Sequence, residues 1–455
     1  MFKLKTLVLL GGSVLLLAQG WAAEPAPQVT VYNKDLAVIR QYRTWSVPRG
    51  VSELNLEGVP SRVDPTSVKL TFPKASGKVK LLEQNYLYDL VSSQKIFEKY
   101  LGQTVIFRFE NGGEVRGKLL NVDQDAVVIE TTTGGLQIAA VRTILNYDFP
   151  ALPQGLIIRP TLKWQVEAAS TGAVEAEIVF LTGGMQWHAE YILALSRNET
   201  DFGLNSWVSL ENNSGATYEN AKVRVIAGDV HRVTRPAIAR DVETMEYAVS
   251  AKGAFQEREL MDYHLYELQR PVTLRDREIK QIALYDELRG KARKLYVLDN
   301  YRQAESEKPL TVYLKIENSV ANGLGLPLPL GTVRIFQEDA DNSLQLVGED
   351  RLEHTSVNDT LWLQTGNAFD VKGKRIVRDL SRIKPNSEQA TIEVEVRNAR
   401  KVPVELEIRE YLDGDWFLKS ASHPSIRRSN RLLVFPLRLE AGQKTVVTYT
   451  YQRSW

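Results

Sequence analysis

Apolar and polar residues alternate along much of this chain, and the pattern is most regular near its C-terminal end. In Thr391–Arg397, Ile392, Val394 and Val396 alternate with charged residues, and Val404–Arg409 repeats the pattern after a short turn. Successive side chains of a β-strand point to opposite faces, so each run has one buried and one wet face. Antiparallel sheets covered on one side have this pattern, whereas parallel sheets read as continuous apolar runs. The sequence therefore predicts an all-β protein of tandem antiparallel β-sandwich-like domains with little helix.

The length of 455 residues suggests about three domains, and a hydrophobic content of 43% supplies enough apolar material for their cores. Turn signals and composition predict these segments: a signal peptide at 1–23, an N-terminal β-domain at 24–95, a small barrel at 96–150, a β-sandwich-like domain at 151–235, an irregular or partly helical linker at 236–263 and a C-terminal β-sandwich domain at 264–455. The linker loses the alternation, so a mobile loop and a short helix around Phe255–Tyr263 both stay open.

The segment 96–150 packs five short strands at close spacing. They are predicted at Thr104–Phe109, Glu114–Leu120, Ala126–Glu130, Leu136–Ala139 and Val141–Leu145. Such spacing is typical of a small SH3-like or Sm-like barrel inserted between larger β-domains.

The first two dozen residues have the organisation of a signal peptide. Lys3 and Lys5 precede an apolar run, Leu7–Ala18, which is too short to span a bilayer. Gly20 and Ala22 are small residues that favour cleavage after Ala22, and an uncleaved anchor is the alternative. Since the chain has no cysteine, thiol catalysis, disulfides and a lipid-modified cysteine are excluded. We expect an exported protein, periplasmic or at the cell surface, with no stable membrane span after removal of the leader.

The charge of the chain is balanced, with 57 basic and 56 acidic residues. A balanced chain has no bulk electrostatic footprint for nucleic acid or for anionic lipid. An Sm-like module suggests RNA, but export, balanced charge and the absence of an aromatic-plus-basic strand face argue against it. The sequence predicts no nucleic-acid partner.

The stretch NGLGLPLPLGTVRIF (322–336) contains two glycines spaced as in a phosphate-binding loop. A dinucleotide site needs a third glycine and a helix directly after the turn, because the helix amides bind the pyrophosphate. Pro327 and Pro329 follow instead, and each removes a backbone N–H. We therefore interpret the stretch as a rigid extended lead-in to a strand at Thr332–Phe336, with glycines that allow close backbone approach.

The most acidic short stretch is Gln337–Asp350. Asp339, Asp341 and Ser343 resemble the first ligands of a calcium loop, but Leu344 stands where the sharp turn needs glycine. A β-hairpin with an acidic turn explains the stretch without a metal. The sequence predicts no metal site, no cofactor and no catalytic residue here or elsewhere.

The histidines are not paired at metal-ligand spacing, and no G-x-S-x-G motif is present. The most informative one is His188, because alternation places it with Glu190 on one strand face and Trp187 with Tyr191 on the other. A His–Glu pair is suited to acid–base chemistry. The alternative is an aromatic core face with a polar outer face. Trp187, His188, Glu190 and Tyr191 are the candidate ligand contacts.

Long phrases of the chain resemble a bacterial family of exported proteins of unknown function, whose C-terminal domain is shared with mucoidy-inhibitor-A-like proteins. The phrases include LLEQNYLYDLVS (81–92), WHAEYILAL (187–195), the stretch 324–356 and TVVTYTYQRSW (445–455). The resemblance implies an exported, mainly β protein without an established enzyme activity. The family name associates it with surface polysaccharide, by analogy alone.

The sequence therefore predicts a non-enzymatic binding or scaffolding component of the bacterial cell envelope, with an envelope protein or a surface polysaccharide as partner. One alternative is a glycan-processing hydrolase whose site is assembled from distant residues. A second is an outer-membrane β-barrel, suggested by the aromatic face of the last strand, Tyr449, Tyr451 and Trp455, which Arg453 interrupts.

Overall fold

The structure is a computed structural model that describes residues 25–153, 155–228, 230, 255–260, 263–301 and 305–455. Strands make up 65% of the chain and helices 4%, which confirms the predicted all-β, sandwich-like fold. The predicted signal peptide and most of the predicted 236–263 linker lie outside the described residues. No helix in the described part of the chain is long and apolar enough to cross a bilayer.

The strands fall into consecutive groups. The first group precedes the small module and comprises β1 (Gln28–Tyr32), β2 (Ala37–Val47), β3 (Gly50–Glu57), β4 (Lys69–Thr71) and β5 (Val79–Leu87). The small module contains helix α1 (Ser93–Tyr100), β6 (Thr104–Phe109), β7 (Glu114–Val122), β8 (Ala126–Thr131), β9 (Leu136–Ala140) and β10 (Ile144–Asp148). The middle group comprises β11 (Thr161–Ala168), β12 (Gly172–Thr182), β13 (Met185–Leu195), β14 (Asp201–Asn212), β15 (Tyr218–Ala227), β16 (Phe255–Leu260), β17 (Tyr263–Leu268) and β18 (Val272–Leu274).

The C-terminal part of the chain contains the remaining strands, including the longest described strand, β24. They are β19 (Glu278–Lys291), β20 (Arg293–Asp299), β21 (Lys308–Glu317), β22 (Gly331–Glu338), β23 (Leu344–Leu352), β24 (Thr360–Lys384), β25 (Ser387–Asn398), β26 (Val404–Tyr411), β27 (Asp415–Ala421), β28 (Ile426–Arg427), β29 (Leu432–Leu439) and β30 (Lys444–Ser454). Short 3-10 helices lie at Pro65–Ser67, Val141–Thr143 and Val320–Asn322.

Five sheets organise these strands, and most neighbours run antiparallel. An eight-stranded sheet has the order β16-β17-β15-β1-β2-β12-β4, with β18 beside β15. A three-stranded sheet (β3-β11-β5) and a five-stranded sheet (β19-β14-β13-β22-β23) share one large apolar core with it. The fourth sheet belongs to the small module. The fifth has nine strands, β27-β30-β25-β24-β21-β20-β26-β29-β28, and a core of its own.

Distant parts of the chain meet in these sheets. β1 pairs in parallel with β15, and β13 pairs in parallel with β22, where Ala189 lies opposite Gly331. Segments 24–95, 151–235 and 264–455 therefore contribute strands to shared sheets and to the same large core.

The small module is a five-stranded sheet of order β10-β6-β7-β8-β9. Among the described strands β9 and β10 do not pair, so the sheet stays open. The fifth strand begins later than predicted, because Val141–Thr143 forms a 3-10 turn in which Val141 N–H donates to the Asp125 carbonyl at 2.8 Å. The alternation pattern also does not reveal helix α1, which Ser92 caps by accepting from Lys95 N–H at 3.2 Å.

The linker at 236–263 is predicted to be irregular or partly helical. Its longest described segment, β16, is a strand. β16 pairs antiparallel with β17 along its whole length, from Phe255 opposite Leu268 to Leu260 opposite Tyr263. Of the two alternatives, the short helix around Phe255–Tyr263 is wrong for the described residues Phe255–Leu260, because backbone pairing with β17 makes them a strand.

The proline-rich stretch is a rigid lead-in to a strand, as predicted. Gly323 has φ of 79°, and a Cβ on it would lie 2.0 Å from the Arg289 carbonyl oxygen. Strand β22 begins at Gly331, whose added Cβ would lie 2.0 Å from the Ala189 carbonyl oxygen. These glycines let two backbones approach closely. The acidic hairpin prediction is also confirmed, since β22 and β23 pair antiparallel around Asp339–Ser343.

Candidate functional site

The four residues predicted as ligand contacts lie on β13, the central strand of the sheet β19-β14-β13-β22-β23. Trp187 and Tyr191 point into the large core and are closed to solvent. The Trp187 indole N–H donates to the Ile226 carbonyl at 2.9 Å, and the Tyr191 hydroxyl donates to the Pro329 carbonyl at 2.7 Å. Both rings anchor the core and offer no surface to a ligand.

His188 and Glu190 lie on the opposite face of the same strand. His188 Nε2 is 3.0 Å from Glu190 Oε1, and the other carboxylate oxygen lies 2.5 Å from Arg334 Nη1. Arg334 also contacts Glu349 at 3.0 Å. The hydrogen bond and charge of Glu190 raise the pKa of the Arg334 guanidinium. The arrangement is a row of polar and charged side chains across the sheet face, held by hydrogen bonds and ion pairs.

A different place gathers charged side chains around a concave surface. The chain leaves the sheet that contains β13 at Lys291, the end of β19. It enters the nine-stranded sheet at Arg293, the start of β20, with only Ala292 between the two strands. Three cavities of about 320, 610 and 270 Å³ lie along this crossing. The 610 Å³ cavity shares Arg293 with the 320 Å³ cavity and Lys294 with the 270 Å³ cavity, so it links the other two, which have no lining residue in common. We call these three cavities together the junction groove.

Basic side chains outnumber acidic ones in the junction groove. Four acidic side chains line it, Glu199, Glu317, Asp370 and Glu405. The basic side chains are seven in number: Arg197, Lys291, Arg293, Lys294, Lys315, Arg400 and Arg438. A chain that is balanced overall thus concentrates positive charge in one concavity, where low-dielectric walls strengthen the field.

Two of these cations form no salt bridge within the described residues, although Lys291 lies opposite Asp201 in the ladder of β14 and β19 and its charge helps to lower the pKa of that carboxylate. Within the described part of the chain, neither Lys291 nor Lys315 lies within 4.0 Å of an acidic oxygen. Both line the 320 Å³ cavity. The Lys315 ammonium is 5.7 Å from the centre of the Trp362 ring, which holds it by a cation–π contact. These two ammonium groups are the ones most available to an incoming anion.

Glu199 bridges two of the remaining cations in the largest cavity. Its carboxylate lies 3.0 Å from Lys294 Nζ and 3.3 Å from Arg400 Nη2. Burial pushes the Glu199 pKa upward, but the hydrogen bond and charge of Lys294, joined by those of Arg400, hold the pKa below its usual value. The backbone of Glu199 has φ of 59°, a region that non-glycine residues rarely adopt. Glu199 belongs to the turn between β13 and β14. Its carboxylate contacts Lys294 of β20 and Arg400 of the loop before β26, so it joins two different sheets.

The groove residues were not found from the sequence, although a signal is present. The tripeptide Ala-Arg-Lys occurs at 292–294 and again at 399–401. The parallel pairing of β20 with β26 brings the two copies to one place, since Tyr296 lies opposite Leu406. Arg400 also contacts the Tyr296 hydroxyl. Alternation predicts which residues face outward, but it cannot predict which strands become neighbours.

The described residues hold no group of three or more His, Asp or Glu side chains placed to bind a metal ion. The acidic turn Asp339–Ser343 is stabilised within itself instead. Ser343 N–H donates to Asp341 Oδ1 at 2.9 Å, and hydrogen bonds involving the Ser343 side chain and backbone lower the pKa of Asp341. These contacts are those of a hairpin turn.

The comparisons with known proteins add no relative. No family model matches this chain, and no curated protein matches it. The resemblance to the exported family stays a prediction.

Proposed function

We propose that this protein is an exported, non-enzymatic binding or scaffolding component of the bacterial cell envelope, and that its junction groove binds an anionic envelope component. The observation that carries the proposal is the excess of cations in the groove, where Lys291 and Lys315 form no salt bridge within the described residues. Opposite charges across an interface speed association and select among partners. The predicted signal peptide and the resemblance to a family of exported proteins support the proposed location in the envelope.

The contacts of Glu190 argue against the alternative of a hydrolase with His188 and Glu190 in its site. A general acid or base needs free access to a substrate atom and a proton to exchange. Glu190 is engaged by Arg334 and by His188 at the same time. The pair therefore supports the sheet face, and the groove is the better candidate for contact with a partner.

Co-sedimentation with purified envelope fragments tests the proposal. We expect the wild-type protein to sediment with the fragments at low ionic strength and to be released at about 0.5 M salt, because salt screens charge contacts. The variant Lys291→Glu with Lys315→Glu should stay in the supernatant. The matched control is Lys78→Glu with Lys80→Glu, which changes the same charge at exposed positions of the β5 region, away from the groove. Equal sedimentation of the two variants would overturn the proposal.

The location is tested separately by mass spectrometry of the protein released by osmotic shock. We expect a mature chain that begins at Ala23, since Gly20 and Ala22 favour cleavage before it. Recovery only as a full-length chain in the cytoplasmic fraction would contradict export.

A further inference from the structure

Phe369 is an exposed aromatic residue at the edge of the junction groove. Phe369 is 87% exposed, the highest exposure among the large apolar residues of β24. It lines the 270 Å³ cavity together with Lys294 and Arg400. A phenyl ring in this position leaves its apolar surface in water next to a cluster of cations.

A bulge in β24 produces this exposure. Pro309 lies opposite Lys372, and Thr311 lies opposite Asn367. An advance of two residues along β21 therefore corresponds to five residues along β24. The extra residues leave the ladder and turn Phe369 outward, which is how bulges re-aim side chains. The Asp370 carbonyl accepts a 2.7 Å hydrogen bond from Ala399 N–H, next to Arg400. The bulge is thus fixed to the loop that supplies one of the groove cations.

Cations also flank the ring itself. The Lys372 ammonium lies 5.9 Å from the centre of the Phe369 ring. Lys294 and Arg400 line the same cavity, and both also line the 610 Å³ cavity beside it. An apolar ring face beside several positive charges matches a ligand that alternates flat C–H surfaces with negative groups.

We infer that the ligand of the junction groove is a polymer of carboxylated sugars that runs through all three cavities. One sugar ring packs on Phe369, and the carboxylates of other rings pair with Lys291 and Lys315 in the 320 Å³ cavity. This inference rests on the proposed function. A pyranose face presents C–H groups to the aromatic ring, and burying the ring in this way removes apolar surface from water. The three cavities, each near 300 Å³ or larger, have the size of ligand sites. A ringless polyanion would use the cations alone, and a neutral glycan would use the aromatic ring alone.

Binding measurements with three defined probes test this inference on the full-length mature protein. The probes are oligogalacturonate, which has rings and carboxylates, linear polyphosphate, which has charge only, and neutral dextran. We expect Phe369→Ala to weaken oligogalacturonate binding by roughly two- to tenfold and to leave polyphosphate binding unchanged. Phe369→Tyr keeps the ring and should bind oligogalacturonate like the wild type. Lys291→Gln with Lys315→Gln should weaken both anionic probes.

The possible failures of the two proposals are distinguishable. Oligogalacturonate binding that Phe369→Ala leaves unchanged, or weakens only in step with polyphosphate, would overturn the sugar inference and leave the anionic groove intact. Binding of polyphosphate without oligogalacturonate would do the same. If the wild type bound neither anionic probe, or bound dextran as tightly, both proposals would be wrong. Since the Phe369 side chain is almost fully exposed, its removal leaves no cavity, and the variant should unfold at the wild-type temperature.

Discussion

The Tyr191 hydroxyl donates a 2.7 Å hydrogen bond to the carbonyl oxygen of Pro329, and both groups are buried. Pro327 has the same kind of partner, because its carbonyl accepts from the Tyr285 hydroxyl at 2.8 Å. A proline has no N–H to donate to a β-ladder, but its own carbonyl, when buried, still needs a hydrogen-bond donor. Buried tyrosines therefore fix the proline-rich lead-in to β22, and Tyr191 has a structural role.

Tyr191→Phe should lower the free energy of unfolding by about 1–3 kcal/mol, because the Pro329 carbonyl is left buried without a donor. Urea denaturation followed by circular dichroism measures the change. Tyr88→Phe is the control, since the Tyr88 side chain is exposed and should change stability by less than about 0.5 kcal/mol. Equal effects of the two variants would show that the hydrogen bond carries no stability.

Gly323→Ala should destabilise the protein by at least about 2 kcal/mol, because alanine avoids the positive φ and its Cβ would meet the Arg289 carbonyl. Gly172→Ala is the matched control, since nothing lies within 4 Å of the added Cβ. We expect the control to stay within about 0.5 kcal/mol of the wild type. Thermal unfolding of the two variants in parallel gives the comparison, and a wild-type transition for Gly323→Ala would contradict the close approach.

Glu199 makes stability depend on pH in a defined direction. Its pKa is lower in the folded protein than the usual value of 4.5, so its carboxylate stabilises the fold above that pH. The contribution is lost as the pH falls through the lower, folded-state pKa. From neutral pH to about pH 3 the wild type should therefore lose more stability than Glu199→Gln, which has no group to titrate there.

Urea midpoints for both proteins across that pH range give the measurement. Glu353→Gln supplies the control, because Glu353 is exposed and its pair with Arg351 is a surface contact of 3.4 Å. Its pH dependence should follow the wild type. Parallel curves for Glu199→Gln and the wild type would show that the bridge to Lys294 and Arg400 contributes nothing in solution.

The core of the nine-stranded sheet contains a buried ion pair. Arg375 Nε lies 3.0 Å from the carboxylate of Glu410, which also accepts from the Tyr449 hydroxyl at 2.7 Å. Glu410→Gln would leave the Arg375 charge buried without its counter-ion, so we expect a loss of about 3–5 kcal/mol. In the same chemical denaturation experiment, Glu353→Gln should cost less than about 1 kcal/mol. A small effect at Glu410 would mean that water reaches Arg375 in the native state.

The candidate site was predictable only in part. Alternation places His188 and Glu190 on one face and Trp187 and Tyr191 on the other, as the structure has them. The alternation pattern does not show that the face with Trp187 and Tyr191 is closed to solvent. Nor does it show that Arg334 of β22 forms an ion pair with Glu190. Those facts depend on a parallel pairing between strands far apart in the sequence. The groove cations escaped prediction for the same reason.

The sequence by itself determined that strands form and where the chain turns, because side-chain alternation and the demands of proline and glycine act over a few residues. It also determined the rigid lead-in at 322–330 and the acidic hairpin after β22. Only the tertiary structure decided that β20 lies beside β26, that Glu199 meets Lys294 and Arg400, and that a bulge turns Phe369 outward. Strand partners and bulges are selected by the packing of whole sheets, and one strand's pattern carries no information about its neighbour.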